Sequence, residues 1–114
     1  MKKNDHPYLL DILDRIARIE EYIAPGKEDF LSKTITQDAI IRNFEVIGEA
    51  TKHLSSVLKE QYSHIPWKDI AGMRDKVIHD YVGVDLSLVW SIATEKIPTL
   101  KKTIEQILKE LSQA

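Results

Sequence analysis

Asp38-Ala39-Ile40-Ile41-Arg42-Asn43-Phe44-Glu45-Val46-Ile47-Gly48-Glu49-Ala50 places apolar side chains at three- and four-residue steps, the period of an α-helix. Measured around that helix from Arg42, Ile40, Phe44, Ile47, Leu54 and Leu58 gather at about 120–200°, a core-facing stripe. Ala39, Val46, Ala50 and Val57 make a second, weaker stripe at about 40–80°, and Glu49 and His53 each line up within about 20° of Arg42. A helix with two apolar stripes beside a polar ridge is packed on more than one side. The second side is either a neighbour in the same chain or another copy of it. Gly48 in the interior costs about 1 kcal/mol of helix propensity, which marks a place where another helix comes close.

Outward from this segment the chain reads as helix throughout. A first helix starts near Asp5 or Pro7, capped by Asn4 or Asp5, and runs to about Ala24. Its positions Leu9, Ile12, Leu13, Ile16, Ile19 and Ile23 keep the helical period, and Pro25-Gly26 stops it. Lys27 to Thr34 is a connection with one turn around Phe30-Leu31. The central helix begins at Thr34 or Thr36 and is expected to continue to about Lys59. Ser63 to Ala71 holds a short helix, with Pro66 at its first position. Gly72 to Tyr81 reads as a further helix that yields at Gly83. Asp85 caps a last helical stretch reaching about Leu111, with a kink or break expected at Pro98. The expected architecture is all-α, an antiparallel bundle of four to five helices in a single domain over residues 1–114.

Composition narrows the chemistry. A chain of 114 residues, 30% charged and 43% apolar, supports one core. A net charge of −2 with both signs interspersed argues against a bulk electrostatic nucleic-acid binder and gives no reason to expect DNA as a partner. Any nucleic-acid contact is therefore local. The absence of cysteine excludes disulfides and cysteine–zinc sites. No apolar run approaches the roughly 20 residues a membrane span requires, so no membrane partner is expected. The Met1-Lys2-Lys3-Asn4-Asp5-His6 start leads into an amphipathic helix rather than a signal peptide, so the cytoplasm is the expected location.

Arg74-Asp75-Lys76-Val77-Ile78-His79-Asp80-Tyr81 carries the reactive groups. On a helix Arg74 falls within an apolar stripe of Met73, Val77, Ile78 and Tyr81, where an unpaired guanidinium costs several kcal/mol. It then either answers a carboxylate, Glu49 or Asp75, with His79 capping a helix end, or faces a polar cleft that takes anions. Arg74 and His79 stand about 140° apart on a helix, so a cleft at its edge would meet both through the long arginine stem. A phosphodiester there finds a bidentate donor, an imidazole able to move a proton near neutrality and the phenol of Tyr81. RNA supplies its own nucleophile, the 2′-hydroxyl, and no metal or cofactor is called for. Spacing alone leaves both readings open.

Ile65-Pro66-Trp67-Lys68-Asp69-Ile70-Ala71-Gly72-Met73-Arg74, then Val77-Ile78-His79-Asp80-Tyr81 and Val84-Asp85-Leu86 to Val89-Trp90, resembles the HepT-type branch of the HEPN superfamily. Residues 38–50 resemble that family's long central helix, so the likeness covers nearly the whole chain. The family signature is Arg, four residues, His, one residue, Tyr, and Arg74, His79 and Tyr81 fill its three places. Asp75 stands where the family usually has a polar residue, often Asn. The resemblance implies a two-fold homodimer whose Arg/His motifs meet at the interface cleft. It implies a metal-independent endoribonuclease, the toxin of a two-gene toxin–antitoxin system. The implied partner is a minimal nucleotidyltransferase antitoxin that silences the toxin by AMPylation of the motif tyrosine and can join it in higher assemblies. By this resemblance Arg74 would bind the scissile phosphate, His79 would move protons and Tyr81 would accept AMP. Arg42, Glu49 and Asp75 are supporting candidates. The alternative is a non-catalytic helical module that binds a nucleotidyltransferase or a nucleotide.

The remaining candidates are weak. Glu49 and His53 have the spacing of a metal-ligand pair but no third ligand, which reads as an ion-paired surface. His6 and His64 read as inert, and Trp67 and Trp90 as core, with Trp67 placed to close one end of a cleft. Lys96, Lys101, Lys102 and Lys109 read as a solvated helix face that gives weak, salt-screened steering.

Overall fold

The apolar period of the first helix becomes α1 (His6–Ile23), with Leu9, Ile12, Ile16 and Ile19 fully buried. The computed structural model describes residues 4–113. The first three residues, read as a lead into α1, and Ala114 lie outside the described residues. Asp5 occupies the cap position of α1, but its carboxylate accepts from the backbone N–H and the hydroxyl of Ser55, both at 2.7 Å. It therefore fastens the start of the chain to the far end of the central helix. Asn4 makes the local bond, accepting from the His6 N–H. After Gly26 comes α2 (Lys27–Ser32), which buries Phe30 against Trp90, ring centroids 5.2 Å apart.

The central helix α3 (Thr34–Lys52) is shorter than its periodicity predicts. It stops at Lys52 because Ser55 starts a new helix, its hydroxyl accepting from the Leu58 N–H at the head of α4 (Ser56–Gln61). Leu54 and Leu58 are buried as expected, whereas Val57 is exposed. Within α3, Ile40, Phe44, Ile47 and Thr51 form the buried face, and burying each of its large apolar side chains contributes about 1.5–3 kcal/mol. Gly48 meets another segment closely, as its mid-helix position predicts. A Cβ there would lie 2.6 Å from the carbonyl oxygen of Ala71.

That close approach seats α5 (Trp67–Ala71) and α6 (Met73–Val77) on α3. Pro66 precedes α5 instead of forming its first residue. Two bonds hold the entry to α5. The Trp67 indole N–H donates to the Tyr62 carbonyl at 3.1 Å, and the Tyr62 hydroxyl donates to Glu110 at 2.5 Å. The hydrogen bond to Glu110, then burial, then the carboxylate charge push the Tyr62 phenol up to about 12. Glu110 is held below the usual carboxylate range, first by the Gln106 amide and then by Tyr62.

The helix expected over Gly72–Tyr81 ends at Val77. Its continuation would need the Val77 carbonyl to accept from Tyr81, but that carbonyl instead accepts from the Asp85 N–H at 2.8 Å. The chain turns into an antiparallel hairpin, β1 (Ile78–His79) and β2 (Gly83–Val84), with Ile78 opposite Val84 and His79 opposite Gly83. Asp85 then caps α7 (Leu86–Ser91) by accepting from the Leu88 N–H, as predicted.

Pro98 leaves its mark on the residues before it. The segment Ile92–Lys96 is a π-helical turn, in which the Ile97 N–H reaches back to the Ile92 carbonyl. Pro98 has no N–H to continue the α pattern, and α8 (Ile97–Ser112) begins with it in the first turn. Among the described residues, the fold is three long helices, five short α-helical segments, one π-turn and one small hairpin, not four to five helices. No helix of the described residues is long and apolar enough to cross a membrane.

Candidate active site

Arg74, His79 and Tyr81 lie on one continuous projection, helix α6 followed by the hairpin. Gly72 opens it, with its carbonyl accepting from the Asp75 and Lys76 N–H groups. Met73 and Val77 fasten α6 to the core, which turns the residues between them outward. Arg74 is therefore not in an apolar stripe. Its side chain is 45% exposed, and among the described residues its only ion pair is a loose one, 3.5 Å to Asp75, itself 81% exposed. A contact that open and that solvated leaves the guanidinium free to exchange Asp75 for another anion. Because the helix stops at Val77, the 140° separation expected for Arg74 and His79 does not apply. Ile78 turns inward on β1 and His79 outward, exposed to water.

Tyr81 is the backbone outlier among the described residues. The Val82 N–H donates to the Asp80 carbonyl at 2.8 Å, closing a three-residue γ-turn around Tyr81, whose φ is 71°. Positive φ at a bulky residue is rare and costs on the order of 1–3 kcal/mol. Its ring is fully exposed and so returns nothing to the core of its own chain. Tyr81→Gly is therefore expected to leave the fold intact and raise its stability by about 1 kcal/mol in urea unfolding. A fall in stability would mean that the ring supports the monomer.

Of the supporting candidates, Asp75 stays on this projection beside Arg74, while Arg42 and Glu49 are paired within α3. Arg42 pairs with Glu45 at 3.0 Å and Glu49 with Lys52 at 3.2 Å, both on the exposed face of α3. Glu49 does not engage His53, whose ring stacks on Tyr8 at 5.2 Å. Trp67 and Trp90 are half-buried against the core.

Two features carried little signal in the sequence reading. One is the hairpin, for which the β-branched Val77-Ile78 and Val82, with Gly83 at φ 102°, were the available cue. The other is a groove of about 570 Å³ beside α5 and α6, on the side of α6 that bears Met73 and Lys76 rather than Arg74. His64, read as inert, lies on its rim.

Residues 12–107 match the model of the family described as "Ribonuclease HepT-like". A Thermococcus cleftensis protein named "Probable ribonuclease HepT" is 44% identical over 110 residues, 96% of this chain and 100% of its own. A Caldanaerobacter subterraneus subsp. tengcongensis protein named "Putative RNase" is 40% identical over 109 residues, 95% of this chain and 97% of its own. A "Gamma-glutamylcyclotransferase and putative RNase" of Methanocaldococcus jannaschii is 46% identical over 114 residues, 99% of this chain but 51% of its own. The chain thus spans about half the length of that relative and nearly all of the other two. No solved structure matches the chain. The family match runs through both the central helix and the whole Arg74–Tyr81 projection, and the chain belongs to the HepT-like ribonuclease family.

Proposed function

We propose that the chain is a metal-independent endoribonuclease, the toxin of a toxin–antitoxin pair, silenced by AMP transfer to Tyr81. The observation that carries this reading is that the fold spends none of the three motif side chains on its own core. Arg74, His79 and Tyr81 all stand in water on one helix–hairpin projection, in a chain of this family. Arg74 holds the non-bridging oxygens of the scissile phosphate through paired N–H donors and stabilises the charge that builds there. His79 removes the proton from the 2′-hydroxyl, whose oxygen attacks the adjacent phosphorus. The 5′-oxygen of the next nucleotide leaves and takes a proton, and a 2′,3′-cyclic phosphate remains. One imidazole does not serve as acid and base in the same step, so the second proton comes from water or from the same residue of a twin subunit.

Silencing follows from the turn at Tyr81. The phenol oxygen gives its proton to a base of a partner nucleotidyltransferase or to water and attacks the α-phosphorus of ATP that the partner holds with magnesium, and pyrophosphate leaves. Each transferred AMP adds negative charge to the projection that bears Arg74 and repels RNA. Expression in a host lacking the neighbouring gene tests the reading. The wild-type chain is expected to slow growth and His79→Ala to leave it unchanged. With ATP, magnesium and the cognate transferase, added mass is expected in AMP increments on Tyr81 and none on Tyr81→Phe. Equal growth with both chains would favour a binding module instead.

A further inference from the structure

The groove beside α6 is unclaimed by the chemistry above. Its floor is apolar, with Ile70, Met73, Ile92 and Leu100 all buried, and its volume of about 570 Å³ falls within the roughly 300–1,000 Å³ of small-ligand sites. The polar groups around that floor are sorted by chemistry. Asp69 and Glu95 bring carboxylates, which only accept. The Thr99 hydroxyl donates to the Glu95 carbonyl at 3.4 Å and the Thr103 hydroxyl to the Thr99 carbonyl at 3.1 Å, so each spends its hydrogen on the backbone one turn before it. What these threonines offer the groove is lone pairs. The cations are Lys76, loosely paired with Asp69 at 3.6 Å, and Lys96, which has no ion pair among the described residues. His64, exposed on the rim, adds an aromatic face. A flat, largely apolar body with hydrogen-bond donors on one edge and an anion on another satisfies all of these groups together. An unpaired nucleobase with an exocyclic amino group, attached to its phosphodiester, has that profile.

The groove also stands next to Arg74. Arg74 and Lys76 are about 200° apart on α6, on opposite flanks of one helix about 10–12 Å wide, a distance that a single strand crosses in a few nucleotides. Asp75, exposed on the crest between them, is an acceptor where the strand presents sugar hydroxyls, which donate. We propose that the groove is a base-recognition subsite of the substrate strand: an unpaired adenine or cytosine flanking the scissile phosphate enters it, its face on the apolar floor, its amino group on the acceptor wall and its phosphate at Lys76 and Lys96. The inference deepens the proposed function and rests on it for the presence of RNA. It assigns the sequence preference of the cut to the groove rather than to the motif. Guanine and uracil put a carbonyl oxygen where adenine and cytosine carry the amino group, so with either of them acceptor would face acceptor.

Sequencing the ends that the chain leaves on a randomised single-stranded RNA tests the subsite. Adenine or cytosine is expected about tenfold over uracil at one fixed distance from the cut. Thr99→Trp, which fills the groove from its exposed wall, is expected to abolish that preference. A strand carrying unsubstituted purine in place of the preferred adenine is expected to be cut no better than one carrying uracil there. Affinity is read separately in a His79→Ala chain, which holds RNA without cutting it. In that chain Lys96→Glu is expected to weaken binding of a short adenine-rich strand about tenfold, whereas Lys27→Glu, exposed on α2, changes it less than about twofold. Cutting with no base preference at any fixed distance, or with a preference that survives both Thr99→Trp and Lys96→Glu, would overturn the subsite and leave the proposed function standing. A chain that neither binds nor cuts RNA would overturn both.

Discussion

His79→Ala is expected to lower RNA cleavage on the order of 10²–10⁴-fold, the usual contribution of a positioned acid or base. The same substitution should leave stability within about 0.5 kcal/mol, because exposed side chains away from packing and networks rarely matter more. His79 meets that condition, being exposed on β1 with its backbone opposite Gly83. Arg74→Lys is the informative companion. It keeps the positive charge but loses the planar fork, so a large loss of rate would show that geometry at the phosphate matters rather than charge alone. Single-turnover cleavage beside urea unfolding of the same preparations separates the two effects. A His79→Ala chain that cleaves at the wild-type rate would remove the imidazole from the reaction.

Gly48→Ala is expected to destabilise the fold by about 2 kcal/mol, against the sign that helix propensity gives. Propensity favours alanine by about 1 kcal/mol inside a helix. The new methyl would sit 2.6 Å from the Ala71 carbonyl oxygen and 3.3 Å from its carbon. That neighbour is backbone, so α3 and α5 must separate, and overpacking of this kind costs about 1–3 kcal/mol before any secondary loss. Ala71 is joined to Arg74 through Gly72 and Met73, so the displacement travels into the projection that bears the motif. Activity should fall with stability. A Gly48→Ala chain more stable than wild type would show that α3 and α5 tolerate more separation than their contact implies.

Much of the fold is legible in residue spacing because the chain's helices are driven by one-sided apolar faces. The positions Leu9, Ile12, Ile16 and Ile19 that set the period of α1 are the ones it buries. Gly48 also declared itself, since a mid-helix glycine needs a steric reason and Ala71 supplies it. The errors fall where one hydrogen bond outweighs periodicity. Ser55 ends the central helix by capping the next one, and it is chosen by Asp5, some 50 residues away, which local patterning cannot register. The Val77 carbonyl turns to Asp85 rather than to Tyr81, which converts an expected helical turn into a hairpin and moves Arg74 from a core stripe into solvent. The three motif residues stood out by their chemistry, the resemblance favoured a cleft over an internal ion pair, and their exposure came only from the structure. The groove had no local signature, because its walls are assembled from residues between His64 and Thr103.

The most direct measurement is the chemistry of the cut ends. Purified chain incubated with single-stranded RNA in excess EDTA is expected to yield fragments ending in 2′,3′-cyclic phosphate, with 5′-hydroxyl groups on their partners. Fragments ending in 3′-hydroxyl groups, or cleavage that chelation abolishes, would contradict attack by the 2′-hydroxyl with Arg74 and His79 as its agents.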